Sequence, residues 1–149
     1  MRSQVDSDVD LRIPRQRVEL RRAPWAVLGA ISAGGALGAL ARYGLAAAWP
    51  HRPGRFPWAT FVTNVSGCLL IGVLMVLVTE VWSAHRLLRP FLGVGVLGGY
   101  TTYSSFAVEV VNLVDDGAPV LAAGYVLVSV VGGVAAVALG VLTAGRVGR

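Results

Sequence analysis

The chain has 149 residues, 55% of them hydrophobic and only 14% charged, and its formal net charge is +5. A soluble domain of this size carries about 25% charged residues, so the composition excludes an ordinary soluble domain and points to a chain embedded in lipid. The positive balance is no sign of nucleic acid, because the arginines sit in short segments between apolar runs, where membrane proteins keep them.

Residues 1–22 stand apart. Asp6, Asp8, Asp10 and Glu19 alternate with Arg2, Arg12, Arg15, Arg17, Arg21 and Arg22, with no sustained apolar run and no small-residue cleavage site. The segment reads as a disordered tail whose basic end faces the membrane surface, not as a signal peptide. Residues 23–146 follow as one membrane domain. Crossing the hydrocarbon core as a helix takes about 20 apolar residues, and four runs qualify: Trp25–Trp49, Phe56–Trp82, Pro90–Asp115 and Ala118–Ala144. The connections Pro50–Arg55, Ser83–Arg89 and Asp115–Gly117 are short, so the expected fold is an all-α membrane protein of four transmembrane helices. Trp25, Trp49, Trp58 and Trp82 lie near span ends, where aromatic belts form.

On the first span, Gly34, Gly38 and Arg42 recur at intervals of four and share a face. The glycines permit close helix packing. Arg42 either points into a protein interior or wet vestibule, or snorkels to the interface. On the second span, Thr60, Thr63, Asn64 and Gly67 line one face, and Ser66 also interrupts the apolar run. Asn64 can stitch helices together, or present its amide NH₂ to an anion. Cys68 excludes an internal disulfide and reads as a small packing residue.

The third span carries the least lipid-like stretch, Gly98–Phe106 (GGYTTYSSF). Its two glycines and its run of Thr101, Thr102, Ser104 and Ser105 make a weak helix, and a helix broken near its middle is expected. Backbone freed at membrane depth is tolerated only where protein or a water-filled cavity covers it, and freed carbonyls can coordinate a cation. The hydroxyls can satisfy that backbone or donate to an anion. Glu109 is the one carboxylate well inside a span, hence a functional candidate or a structural acid held by hydroxyls. Gly95 and Gly99 repeat the small-residue spacing, and Tyr125 and Ser129 share a face of the last span.

Taken together these segments resemble the Fluc (CrcB-type) fluoride channel family. GGALGALARY at Gly34–Tyr43 is similar to its first-span motif, ATFVTNVSG at Ala59–Gly67 to GTLxVNxxG, and GGYTTYSSFAVE at Gly98–Glu109 to GGxTTFSTFxxE. The resemblance runs from about Gly34 to Ser129. It implies an antiparallel dimer with two anion pathways, and a structural Na⁺ at the dimer centre held by the backbone carbonyls of Gly98 and Thr101 from both subunits. It places Asn64, Tyr103, Ser104, Ser105, Phe106, Tyr125 and Ser129 along the fluoride pathway, and gives Arg42 and Glu109 vestibule or structural roles. Tyr103 departs from the pattern, standing where the first phenylalanine of a fluoride-facing pair is usual. Ala59 replaces a glycine, and Gly133 stands where a further serine is frequent.

The implied function is passive export of fluoride from the cytoplasm, with no covalent chemistry. A small proton-coupled multidrug exporter also has four spans, but it needs a carboxylate in the first span, and Trp25–Trp49 has none. A non-transporting structural membrane protein would tolerate substitution of Asn64 and Phe106. Four spans put both termini on one side with Arg12, Arg15, Arg17, Arg21, Arg22, Arg86, Arg89, Arg146 and Arg149, against Arg52 and Arg55 opposite. The positive-inside rule then favours cytoplasmic termini. The partner is either a second copy or an oppositely inserted homologous subunit.

Overall fold

The computed structural model describes residues 24–78 and 87–147. The N-terminal tail, the span end at Trp82, Arg86 and Arg149 lie outside them. Every regular element among the described residues is helical. This is what an apolar medium requires, since each backbone N–H and C=O must be satisfied within its own segment.

Helix α1 covers Pro24–Ala48 and α2 covers Trp58–Val76. The third apolar run is divided. Pro90–Leu97 winds as a π-helix, Gly98–Tyr100 forms a single α-turn, α3, and α4 runs over Tyr103–Asp115. Between α3 and α4, Thr101 (φ −78°, ψ 156°) and Thr102 (φ −148°, ψ 124°) are extended. Helix α5 covers Pro119–Val147. Proline opens α1, the π segment and α5, where its missing N–H costs nothing. Three helical stretches, Trp25–Ala48, Trp58–Val76 and Pro119–Arg146, are each long and apolar enough to cross a membrane.

The helices associate as two tight pairs. Helix α1 packs along the π segment and α3, and α2 packs along α5. Both contacts are backbone against backbone. A Cβ on Gly38 would fall on the Val96 carbonyl oxygen, and one on Gly99 on that of Gly35. In the second pair, Gly72 meets the Val137 carbonyl and Gly140 that of Leu69. Lipid tails are as apolar as leucine, so the attraction here is close van der Waals approach and not the hydrophobic effect. Large apolar side chains accordingly face outward, with Leu40 66%, Val134 68% and Val120 85% exposed.

The buried interior lies toward the end that carries the 50–57 and 116–118 loops. Tyr125, Leu113 and Ala122 form its centre, with Phe56, Phe61 and Phe106 packed around them. Phe56 and Phe106 approach the Tyr125 ring at centroid separations of 5.2 and 5.0 Å. The two loops are tied together where Gly54 N–H donates to Asp116 Oδ2 at 2.9 Å. Gly54 takes φ +66°, the left-handed conformation that glycine adopts without strain. Trp25, Trp49 and Trp58 are exposed at helix ends, and the last two stack with ring centroids 6.4 Å apart.

Candidate functional site

Extended backbone between two helices must find partners for the groups that the helix no longer serves. Asn64 on α2 supplies them. Its Nδ2 donates to the Thr102 carbonyl at 2.9 Å, and its Oδ1 accepts from Thr102 N–H at 2.9 Å. The side-chain amide thus pairs with Thr102 as a strand would. Thr102 Oγ1 accepts from Ser105 N–H at 3.2 Å and donates to Ser105 Oγ at 3.1 Å, capping α4 at its first turn. Thr101 Oγ1 turns back to the Leu97 carbonyl at 3.0 Å. Of the alternatives read for these hydroxyls, Thr101, Thr102 and Ser105 are engaged with backbone or with each other. Ser104 and Tyr103 are exposed.

This bonding bears on the two carbonyls named for a cation. In a continuing helix Gly98 O would accept from Thr102 N–H and Thr101 O from Ser105 N–H. Both amides are instead directed to side chains, Asn64 Oδ1 and Thr102 Oγ1. Gly98 and Thr101 therefore present carbonyl oxygens released from the helical ladder. Hard oxygen donors of this kind suit an alkali cation, and no carboxylate cluster is needed; among the described residues none of three or more His, Cys, Asp or Glu is formed.

A cavity of about 510 Å³ opens beside this segment, lined by Asn64, Cys68, Thr101, Thr102, Tyr103, Phe106 and Ser129. Asn64 has a second amide hydrogen beyond the one given to Thr102. Ser129 Oγ is buried and has no hydrogen-bond partner among the described residues. The Tyr103 and Phe106 rings lie 6.1 Å apart, tilted at 39°, and Tyr103 is 81% exposed. A second cavity, of about 320 Å³, is lined by Arg42, Thr60, Thr63, Thr102, Ser105 and Glu109. Arg42 therefore lines a recess that Ala39, Ala46 and Ala59 also border, and its Nε is buried without a partner among the described residues. Glu109 is fully engaged, with Thr60 Oγ1 donating to Oε1 at 2.7 Å and Tyr125 OH donating to Oε2 at 2.9 Å.

The sequence-predicted residues thus fall into two groups around the extended segment. Asn64, Tyr103, Phe106 and Ser129 share the first cavity, and Arg42, Ser105 and Glu109 share the second. Tyr125 and Ser104 belong to neither lining: Tyr125 OH donates to Glu109, and Ser104 Oγ lies 3.3 Å from Thr102 Oγ1. Sequence reasoning missed the pairing of Tyr100 OH with Ser66 Oγ, 2.9 Å apart. The only available signal was the interruption of an apolar run by Ser66.

A protein-family model described as CrcB-like protein, Camphor Resistance (CrcB), matches residues 29–141. A relative from Nocardia farcinica named Fluoride-specific ion channel FluC 2 is 57% identical over 115 residues, covering 77% of this chain and 82% of that protein. A protein of the same name from Streptomyces avermitilis is 48% identical over 117 residues, covering 78% of this chain and 74% of its own length. Fluoride-specific ion channel FluC from Nitrobacter winogradskyi is 42% identical over 118 residues, covering 78% and 94%.

Proposed function

This chain belongs to the CrcB-like family, and from that premise we propose how its own residues carry fluoride across a cell membrane. It is a multi-pass membrane channel for fluoride and not an enzyme. The pathway we assign passes Asn64, Tyr103, Ser104, Ser105, Phe106, Tyr125 and Ser129, with Arg42 and Glu109 at a polar vestibule.

The observation that carries this reading is the Asn64 amide, which holds the extended segment through Thr102 and lines one cavity with Phe106 and Ser129. Fluoride is small and strongly hydrated. A hydroxyl, the free N–H of Asn64 and the positive edge of the Phe106 ring replace its water without a fixed full charge, and conduction needs binding weak enough to release. Transport is passive: an inside-negative potential favours anion exit by about 2.3 kcal/mol per 100 mV, which lowers cytoplasmic fluoride and its toxicity.

The functional unit is an antiparallel dimer with its third helix broken at Thr101–Thr102. The exposed Tyr103 and the open first cavity support this, since one chain leaves the ring pair and the cavity uncovered. The released carbonyls of Gly98 and Thr101 from two subunits fit a structural Na⁺ at the dimer centre, where the ion would supply positive charge that holds the two breaks together. Replacing sodium by a bulky organic cation is expected to lower fluoride efflux from liposomes holding the purified protein, or to weaken the dimer. Unchanged efflux and unchanged dimer stability after thorough sodium removal would overturn the cation assignment.

Orientation follows from charge. The arginine count favours both termini in the cytoplasm. An antiparallel dimer then needs either copies inserted both ways or an oppositely inserted homologous subunit, and the imbalance favours the second. C-terminal reporter fusions in the cell membrane are expected to give a dominant cytoplasmic signal. Equal signals on the two sides would support a self-sufficient homodimer instead.

A further inference from the structure

We propose that Tyr100 and Ser66 are positioning residues for conduction: the bond between their hydroxyls fixes the helix end from which the extended Thr101–Thr102 pair hangs. The inference rests on the reading that this pair borders the ion path. Ser66 has one hydroxyl hydrogen, and its Oγ lies 2.6 Å from the Val62 carbonyl and 3.2 Å from that of Thr63. That hydrogen is committed to its own helix. The 2.9 Å contact with Tyr100 is therefore made by the phenol, which donates to Ser66 Oγ.

The place of this bond gives it a function. Tyr100 is the last residue of α3, the final turn of the helical run that starts at Pro90, and a helix end is where backbone groups lose their intrahelical partners. Immediately beyond it, Thr102 is held by the Asn64 amide. Tyr100 and Thr102 are thus both anchored to α2, one on each side of Thr101. Gly67 makes room for the residues between: a Cβ there would strike Thr101 Cγ2 and stand 3.7 Å from Tyr100 Cδ1. With both anchors in place, the Thr101 peptide cannot swing without breaking one of them. Thr101 also bonds the Leu97 carbonyl through its N–H and Oγ1, so without the phenol bond the segment stays joined to α3 but is hydrogen-bonded to α2 at Thr102 alone.

The test uses the full-length protein in liposomes, with two readouts: the rate of fluoride efflux, and the ¹³C signal of the labelled Thr101 carbonyl in the bilayer. Tyr100→Phe keeps the ring against Gly67 and removes only the hydroxyl. Ser66→Ala removes the acceptor, and Ser66→Thr restores it. Losing one neutral hydrogen bond in the conducting arrangement lowers efflux about fivefold. The double variant Tyr100→Phe/Ser66→Ala is expected to be no worse than either single change, because all three remove the same bond. The Thr101 signal shifts or broadens in these variants and stays at its original position in Ser66→Thr. Thr143→Ala is the control, since that hydroxyl bonds only carbonyls of its own helix, Leu139 and Gly140. It should move neither readout.

Unchanged efflux and an unchanged Thr101 signal in Tyr100→Phe would overturn the proposal, as would additive losses in the double variant or an equal shift in Thr143→Ala. A moved Thr101 signal with unaltered efflux would overturn it too. In that case the fault lies in placing the segment on the ion path, and not in the clamp.

Discussion

Asn64→Asp is expected to abolish measurable fluoride efflux while the protein still inserts and folds as helices. Asparagine and aspartate have the same shape, so packing is not the cause. In the native site Nδ2 donates to the Thr102 carbonyl and Oδ1 accepts from Thr102 N–H. A carboxylate keeps the second contact and turns the first into oxygen facing oxygen. It also puts a full negative charge at the wall of the first cavity, which Asn64 lines with Phe106 and Ser129. Two unit charges about 4 Å apart repel by about 4 kcal/mol at an effective dielectric constant of 20, or ~1,000-fold in rate. Asn64→Ala separates the two effects. It loses both bonds to Thr102 without adding charge, and two neutral bonds at about 1 kcal/mol each set a ceiling of ~30-fold. Efflux from Asn64→Asp close to that from Asn64→Ala would mean that no anion passes this side chain. Wild-type efflux from either folded variant would remove Asn64 from the pathway altogether.

The dual role of Asn64 shows what a one-dimensional reading can and cannot see. Its helical face with Thr60, Thr63 and Gly67 follows from spacing alone, and that face does turn inward, with Thr60, Thr63 and Gly67 all buried. The weak stretch at Gly98–Phe106 was equally visible, because glycines and clustered hydroxyls at membrane depth demand a reason. Glu109 was marked by being the one acid well inside a span. What spacing could not supply is the register between helices. That Asn64 meets Thr102, and that Thr60 and Tyr125 meet Glu109, depends on how far α2 and α5 slide past the divided third run. Glycine contacts set that slide, and with 19 glycines in the chain the sequence does not reveal which of them meet. Gly72 with Val137 and Gly140 with Leu69 went unread for this reason. The π winding of Pro90–Leu97 was illegible as well, since it has no side-chain signature of its own.

Register is also why a single methyl group on α1 is expected to damage the extended Thr101–Thr102 segment. Gly38→Ala would place a Cβ on the Val96 carbonyl oxygen and 2.7 Å from Tyr100 N. Both neighbours are backbone atoms and cannot swing aside, so α1 must move away from the π segment and α3. Overpacking of this kind costs about 1–3 kcal/mol. Interfaces between membrane helices consist largely of such close approach, so little else offsets the loss. Tyr100 is the residue through which α3 holds the Thr101–Thr102 segment on α2, and displacing its backbone disturbs the bond to Ser66. Gly38→Ala should therefore lower both the melting temperature and fluoride efflux. The comparison is Gly44→Ala, six residues further along the same helix, where a Cβ meets nothing within 4 Å. There alanine should be neutral or slightly stabilising, because glycine inside a helix costs roughly 0.5–1 kcal/mol relative to alanine. Melting of purified protein in detergent, followed by helical circular dichroism, separates the two variants directly. If Gly38→Ala and Gly44→Ala melt together and conduct alike, the α1 contact does not set the position of the extended segment.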